Sequence, residues 1–362
     1  MSLRARIETL GGRCDVPLAP RTTLELGGPA EYFAEPERDA ALIGWLEFAR
    51  DAGLPVAILG GGSNLIVPDE GVTGLVLAPS MRGVRVEDEG SSAIVTAGAG
   101  EAWDALVERT VVSDLAGLEC LSGIPGSVGA TPIQNVGAYG VEVADRLHAV
   151  EVYDRRSRAA ARLLPTDLGL GYRDSALKRD PSRFVVLSVS FRLERGGRPT
   201  VRYAELERAL SGGASLASVR ETVIALRRSK SMVIDASDPN RRSAGSFFTN
   251  PIVSEADAAR VFGTAVATGA VKAEGDVPRW SMPDGTVKLA AGFLIEKSGV
   301  EKGYREGAFG VSTKHALAVV HHGGGSVAEL DTFAAGIREA VRSRFGVALE
   351  REPVTLSGSR DP

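Results

Sequence analysis

Three polar segments of this 362-residue chain carry side chains that can hold charge or move protons. Gly171-Tyr172-Arg173-Asp174-Ser175 sets a guanidinium between a phenol and a carboxylate. The run from Ser243 to Pro251 puts Ser246 between a glycine and two phenylalanines, and Glu350-Arg351-Glu352 puts two carboxylates near the C-terminus. Each has an ordinary alternative: a solvated ion pair of Arg173 with Asp174, a turn at Ser246, an exposed strand face at Glu350 and Glu352. Four histidines, His148, His315, His321 and His322, lack any metal-ligand spacing, so surface or capping roles are expected and no metal site. Cys14 and Cys120 lie far apart and form no CxxC, which reads as two reduced thiols in a cytoplasmic protein.

Glycine supplies a second signal. It makes up 43 of 362 residues, roughly 12% against about 7% in average proteins. Residues 53–140 hold 16 of the 43. Scattered glycines suit tight corners, but two clusters ask for more. Gly60-Gly61-Gly62-Ser63-Asn64 lies between two apolar runs, so successive N–H groups are free to face an anion. Residues 117–140, GLECLSGIPGSVGATPIQNVGAYG, form a long segment of small residues, and such segments inside domains are usually functional. Together they suggest one phosphorylated ligand. GxGxxG and GxxxxGK[ST] are both absent, which excludes the usual dinucleotide and P-loop readings. No GxSxG elbow occurs, and Ser175-Ala176-Leu177-Lys178 lacks the companion motifs of an SxxK enzyme.

The elements that must position these groups follow from periodicity. Leu42, Trp45, Leu46 and Ala49 mark a helix over 40–53, and a second is expected over 101–114. Short apolar runs at 55–59, 64–67, 74–78, 83–87, 92–96, 147–153 and 184–193 read as strands. A helix over 216–231 ends in basic residues that suit its dipole. Ser254 and Ser326 open two more helices in capping-box fashion, and a terminal strand is expected at 347–349. The fold class is therefore α+β, with a break near residue 213. A net charge of −4 and the lack of a basic run argue against nucleic acid. No apolar run is long enough for a membrane span, and the N-terminus has no secretory core.

Taken in order, GGGSN at 60–64, the 117–140 segment, GYRDS at 171–175, AGSFFTNP at 244–251, KLAAGFLIEKSG at 288–299 and LEREPV at 349–354 resemble the UDP-N-acetylenolpyruvoylglucosamine reductase (MurB) family. These are flavoenzymes of peptidoglycan synthesis, and the resemblance spans nearly the whole chain. It implies an FAD-binding domain of the vanillyl-alcohol oxidase type over 1–215, in two subdomains meeting near residue 80. A smaller α+β substrate-binding domain over 216–346 and a 347–362 strand and tail would follow. It also implies a cytoplasmic, monomeric enzyme in which NADPH reduces FAD, and hydride then reaches C3 of UDP-N-acetylglucosamine enolpyruvate while a proton reaches C2.

By the same resemblance Ser246 is the proton donor, with Arg173 and Glu352 as catalytic partners and Glu350 as the alternative to Glu352. FAD would be held by Gly60, Gly61, Gly62, Ser63 and Asn64, and by Gly123, Gly126, Ser127, Gly129, Ala130, Gln134, Asn135 and Gly137. Tyr203, Lys230, Asn250 and Lys297 match substrate-binding positions, although glutamine stands at the position of Lys297 in some members. Arg241 and Arg242 are either surface charges or diphosphate contacts. Two rivals remain: an FAD oxidoreductase of the same fold with another acceptor, and a nucleotide-sugar binding module without redox chemistry.

Overall fold

The computed structural model describes residues 1–210 and 212–360. A four-stranded sheet opens the chain, in the order Arg13–Pro17, Pro29–Ala34, Val72–Leu77 and Val56–Ile58. The last three strands run parallel to one another. The crossover between Pro29–Ala34 and Val56–Ile58 is the helix Asp39–Asp51, whose buried residues are Leu42, Trp45, Leu46 and Ala49. This 3.6-residue stripe packs on one face of the sheet. Val16, Phe33, Ala57 and Val76 form a separate small core on the other face.

Gly44 lies mid-helix and exposed, and an added Cβ would meet nothing within 4 Å. Gly44→Ala is therefore expected to raise stability by about 0.5–1 kcal/mol. Urea unfolding of the two proteins measures this directly.

A second, antiparallel sheet begins at Val84. Its order is Ala159–Leu163, Leu147–Asp154, Phe184–Arg195, Ser92–Gly98 and Val84–Asp88. The long strand Phe184–Arg195 is its spine and buries residues on both faces. The helix Trp103–Val112 covers one face, with Trp103 edge-on to Phe191 at 5.6 Å. The 117–140 segment is not a bare loop: it contains the short turns Glu119–Leu121 and Val128–Ala130 and the two-residue strand Gly137–Ala138.

The helix Leu216–Ser229, expected to open the second domain, buries Val219 and Val223 in the core of the first. Its apolar stripe meets the Glu119–Leu121 turn and the helix Trp103–Val112. A separate apolar core gathers Phe247, Phe248, Leu289, Leu294, Phe309, Leu330 and Phe345, and borrows Leu24, Leu26 and Ile66 from the first unit. Its helices are Glu255–Ala267, Ala291–Lys297 and Val327–Phe345. The last is closed at both ends. Ser326 accepts from Glu329 N–H, Glu329 accepts from Ser326 N–H, and Gly346 turns left-handed at φ 67.

No strand forms at 347–349. Val347 and Leu349 are instead buried in extended chain, because they fill the second core rather than joining a sheet. The terminal strand is Val354–Thr355, which pairs in parallel with Leu65–Ile66. The tail thus returns to the first unit, and Ser359 bridges to Val56. Among the described residues no helix is long and apolar enough to cross a membrane.

Candidate functional site

Both glycine clusters, the GYRDS segment, the AGSFF segment and the tail line one cleft of about 1240 Å³ between the units. The two glycine loops touch backbone to backbone. An added Cβ on Gly61 would lie 2.5 Å from Gly126 Cα. Ser63 donates to Pro125 O at 3.1 Å, and Asn64 Nδ2 donates to Gln134 Oε1 at 2.8 Å. Among the described residues, no N–H from Gly60 to Asn64 donates a hydrogen bond within the chain, nor do those of Gly126 and Ser127. Unpaired N–H groups on two facing loops can together accept an anion.

Arg173 sits opposite. Its backbone is left-handed, φ 55, between the bridged residues Gly171 and Asp174. Nε donates to Glu352 Oε1 at 3.0 Å, Nη2 to Gly137 O at 2.9 Å and Nη1 to Asn135 O at 3.4 Å. Lys178 Nζ holds the Arg173 carbonyl at 2.7 Å. The guanidinium is therefore fixed from three sides. Burial pushes the Glu352 carboxyl above its ordinary pKa, while Arg173 pulls the other way. Asp174 pairs not with Arg173 but with Arg179 on the surface. Glu350 is exposed and absent from the cleft wall, so the carboxylate in the site is Glu352.

Backbone bonds bring Ser246 to the same place. Glu352 N–H donates to Phe247 O, Thr249 N–H to Glu350 O, and Phe247 N–H to Leu317 O. Gly245 turns the chain at φ 73 just before the serine. Phe247 and Phe248 are buried beneath, leaving Ser246 on the cleft wall. Among the described residues its hydroxyl has no hydrogen-bond partner.

Other expected residues divide. Tyr203, Lys230 and Asn250 line the cleft. Lys230 pairs with Glu205 at 2.6 Å and lies 6.0 Å from the Tyr139 ring centre, and Tyr139 meets Tyr203 edge-on. Asn250 N–H faces the Tyr172 hydroxyl at 3.3 Å, and its Oδ1 caps the helix Ala291–Lys297 through Ala291 N–H.

Lys297 is not brought to the cleft. It is exposed, and Glu296, one residue earlier on the same helix, lines the wall instead. A helix turns about 100° per residue, so neighbours face different ways. Asn135 and Gly123 also lie outside the lining. Asn135 spends its amide on Glu142, Gly171 and Ala144, which braces the loop that holds Arg173. Gly123 N–H donates to Asp104, and its bare Cα lets the Arg227 side chain pass close. Arg241 and Arg242 both pair with Glu25, away from the cleft.

Several lining residues carried no chemical expectation. Arg227 is buried, burial pushes it down to about 10, and its Nε has no partner. It stood among the basic residues at the helix end. His315 was expected in a surface or capping role, but it is enclosed in the cleft, and burial pushes it down to about 4. His321 is buried as well, its ring bonded to Leu24 O. Glu142, Trp280 and Lys288 complete this group.

Comparison with known proteins shows the family. Residues 30–159 match an FAD binding domain, and residues 238–356 match the UDP-N-acetylenolpyruvoylglucosamine reductase C-terminal domain. The UDP-N-acetylenolpyruvoylglucosamine reductase of Saccharopolyspora erythraea is 47% identical over 94% of this chain and 94% of its own length. That of Thermobifida fusca is 45% identical over 94% and 97%. The crystal structure of the MurB reductase from Thermus caldophilus is 27% identical, with a TM-score of 0.63 over 94% of this chain and 97% of the other. Sequence along the full length, the FAD binding domain and the shared architecture all lead to one family: this chain belongs to the UDP-N-acetylenolpyruvoylglucosamine reductases.

Proposed function

We propose that this chain reduces UDP-N-acetylglucosamine enolpyruvate to UDP-N-acetylmuramate, with NADPH as reductant and FAD as cofactor. The observation that carries the reading is the meeting of Ser246, the Arg173–Glu352 pair and both glycine loops in one cleft. The cradle of unpaired N–H groups from Gly60 to Asn64 and at Gly126 and Ser127 fits the FAD diphosphate. When bound, FAD supplies the hydride carrier between the two substrates.

The chain's own residues then divide the work. Hydride addition at C3 of the enolpyruvyl group drives charge onto its carboxylate. Arg173, fixed by Glu352, Gly137 and Asn135, is preorganised to stabilise that charge. C2 becomes basic as the charge develops, and Ser246 donates the proton there. Glu352 orients the guanidinium and, with its raised pKa, can hold a proton for return to the serine. Lys230, Tyr203 and Asn250, which line the same cleft, hold the substrate. The proposed substrates are charged nucleotides, which supports a cytoplasmic enzyme.

The purified protein is expected to be yellow. NADPH should bleach it without oxygen, and the enolpyruvyl nucleotide sugar should restore the colour. A colourless protein that takes up no FAD overturns the reading. Gly61→Ala is expected to lower the flavin content of the purified protein, because the new methyl group would overlap the Gly126 backbone. The ratio of flavin to protein absorbance reads this out.

A further inference from the structure

We propose that Lys288 is a second cationic contact for the enolpyruvyl carboxylate, beside Arg173. This rests on the reading of the cleft just given. In the strand Val287–Leu289 the flanking residues are buried in the second core. Alternation then turns Lys288 to the opposite face, where its partner across the hairpin is Trp280. Lys288, Trp280 and Tyr172 all line the cleft. The ammonium stands 4.5 Å from the Tyr172 ring centre and 5.4 Å from that of Trp280. Two aromatic faces hold a cation by their quadrupoles but accept no ordinary hydrogen bond.

Among the described residues Lys288 has no carboxylate at ion-pair distance and no hydrogen-bond acceptor. The charged groups that act on it are Glu142 and Arg173, and burial lowers its pKa. Three other cations of the cleft are engaged within the protein. Lys230 is paired with Glu205, and Lys178 is bonded to the Arg173 carbonyl. Arg173 itself gives three bonds to the protein. Two of its five N–H donors remain, against the roughly four acceptor sites of a carboxylate gaining charge. Lys288 is a free ammonium on the same wall, and an anion there would relieve its partial desolvation. As that charge grows, the contact strengthens, so its main effect falls on the rate rather than on binding.

The test uses flavin-loaded Lys288→Met and Lys288→Arg, reduced without oxygen and mixed with the enolpyruvyl nucleotide sugar. In Lys288→Met, reoxidation at saturating substrate is expected to slow roughly 10- to 100-fold, as for loss of one charged hydrogen bond. Lys288→Arg should recover most of the rate. The visible flavin spectrum reports on folding, and if Lys288→Met does not hold flavin, Lys288→Gln takes its place. A saturating rate equal to the parent's overturns the inference. So does a loss confined to substrate affinity, which would mark a diphosphate contact, or a larger loss in reduction by NADPH. If the parent itself is not reoxidised by this substrate, the functional reading fails instead.

Discussion

Ser246→Ala is expected to keep its flavin and to be bleached by NADPH, yet to be reoxidised by the enolpyruvyl nucleotide sugar about 10²-fold or more slowly. A serine is a weak acid in water, so its use as a proton donor needs a strongly basic acceptor and a fixed position. Hydride arrival at C3 provides the first, because the carbanionic charge that builds at C2 is strongly basic. The chain provides the second. The serine is held between the left-handed Gly245 and the buried pair Phe247 and Phe248, and the backbone bond from Glu352 to Phe247 locks it to the tail. Its hydroxyl is not consumed by any bond within the described chain. Stopped-flow absorbance of the two half-reactions separates the effects. Reoxidation at the parent rate would remove Ser246 as the acid. Ser246→Cys, which keeps a dissociable proton at the same side-chain position, should fall between the two.

The helices and their stops were legible because each is set locally. The stripe of Leu42, Trp45, Leu46 and Ala49, and the reciprocal bonds of Ser326 and Glu329, depend on residues within a few positions. What belongs to one element or the other across the cleft was not. The helix Leu216–Ser229 has an apolar face that either unit could accept, and only packing against Glu119–Leu121 decides. The same holds for side-chain roles. Arg173 reads equally well as the partner of Asp174 until the tail, 179 residues away, brings Glu352 to its Nε. Lys297 and Glu296 differ by one step around a helix, and a string match cannot say which faces inward. Lys288 lay inside a recognised string, but its significance comes from Tyr172 and Trp280, which the sequence places far from it. The glycine excess was the reverse case. Bare, unpaired backbone was readable from composition and order alone, and the unpaired N–H groups of residues 60–64 are its structural counterpart.

Arg173→Met is expected to lose reoxidation by the substrate by about 10²- to 10³-fold, the usual effect of removing a group aimed at developing charge. It should also change how stability depends on pH. Glu352 is already raised by burial, and the largest opposing influences come from Arg173, with Lys178 adding a smaller one. Without the guanidinium the carboxyl rises further, since a buried carboxylate with no partner is costly. In the unfolded chain a glutamate titrates near about 4.3. The folded protein then binds the proton more tightly, so stability is complete below that value and is lost as pH rises through the raised folded pKa. The variant should therefore lie closest to the parent in mildly acid solution and fall behind it toward neutral pH. The left-handed backbone at 173 does not confound the comparison, because methionine carries the same steric cost there as arginine. Adding Glu352→Gln should remove the pH-dependent loss, since no carboxyl is left to titrate, but it should not restore reoxidation. Thermal unfolding of the parent, the single variant and the double variant across acid to neutral pH measures this. A deficit that is the same at every pH would show that Arg173 acts on stability by packing alone and that Glu352 takes its charge state from elsewhere.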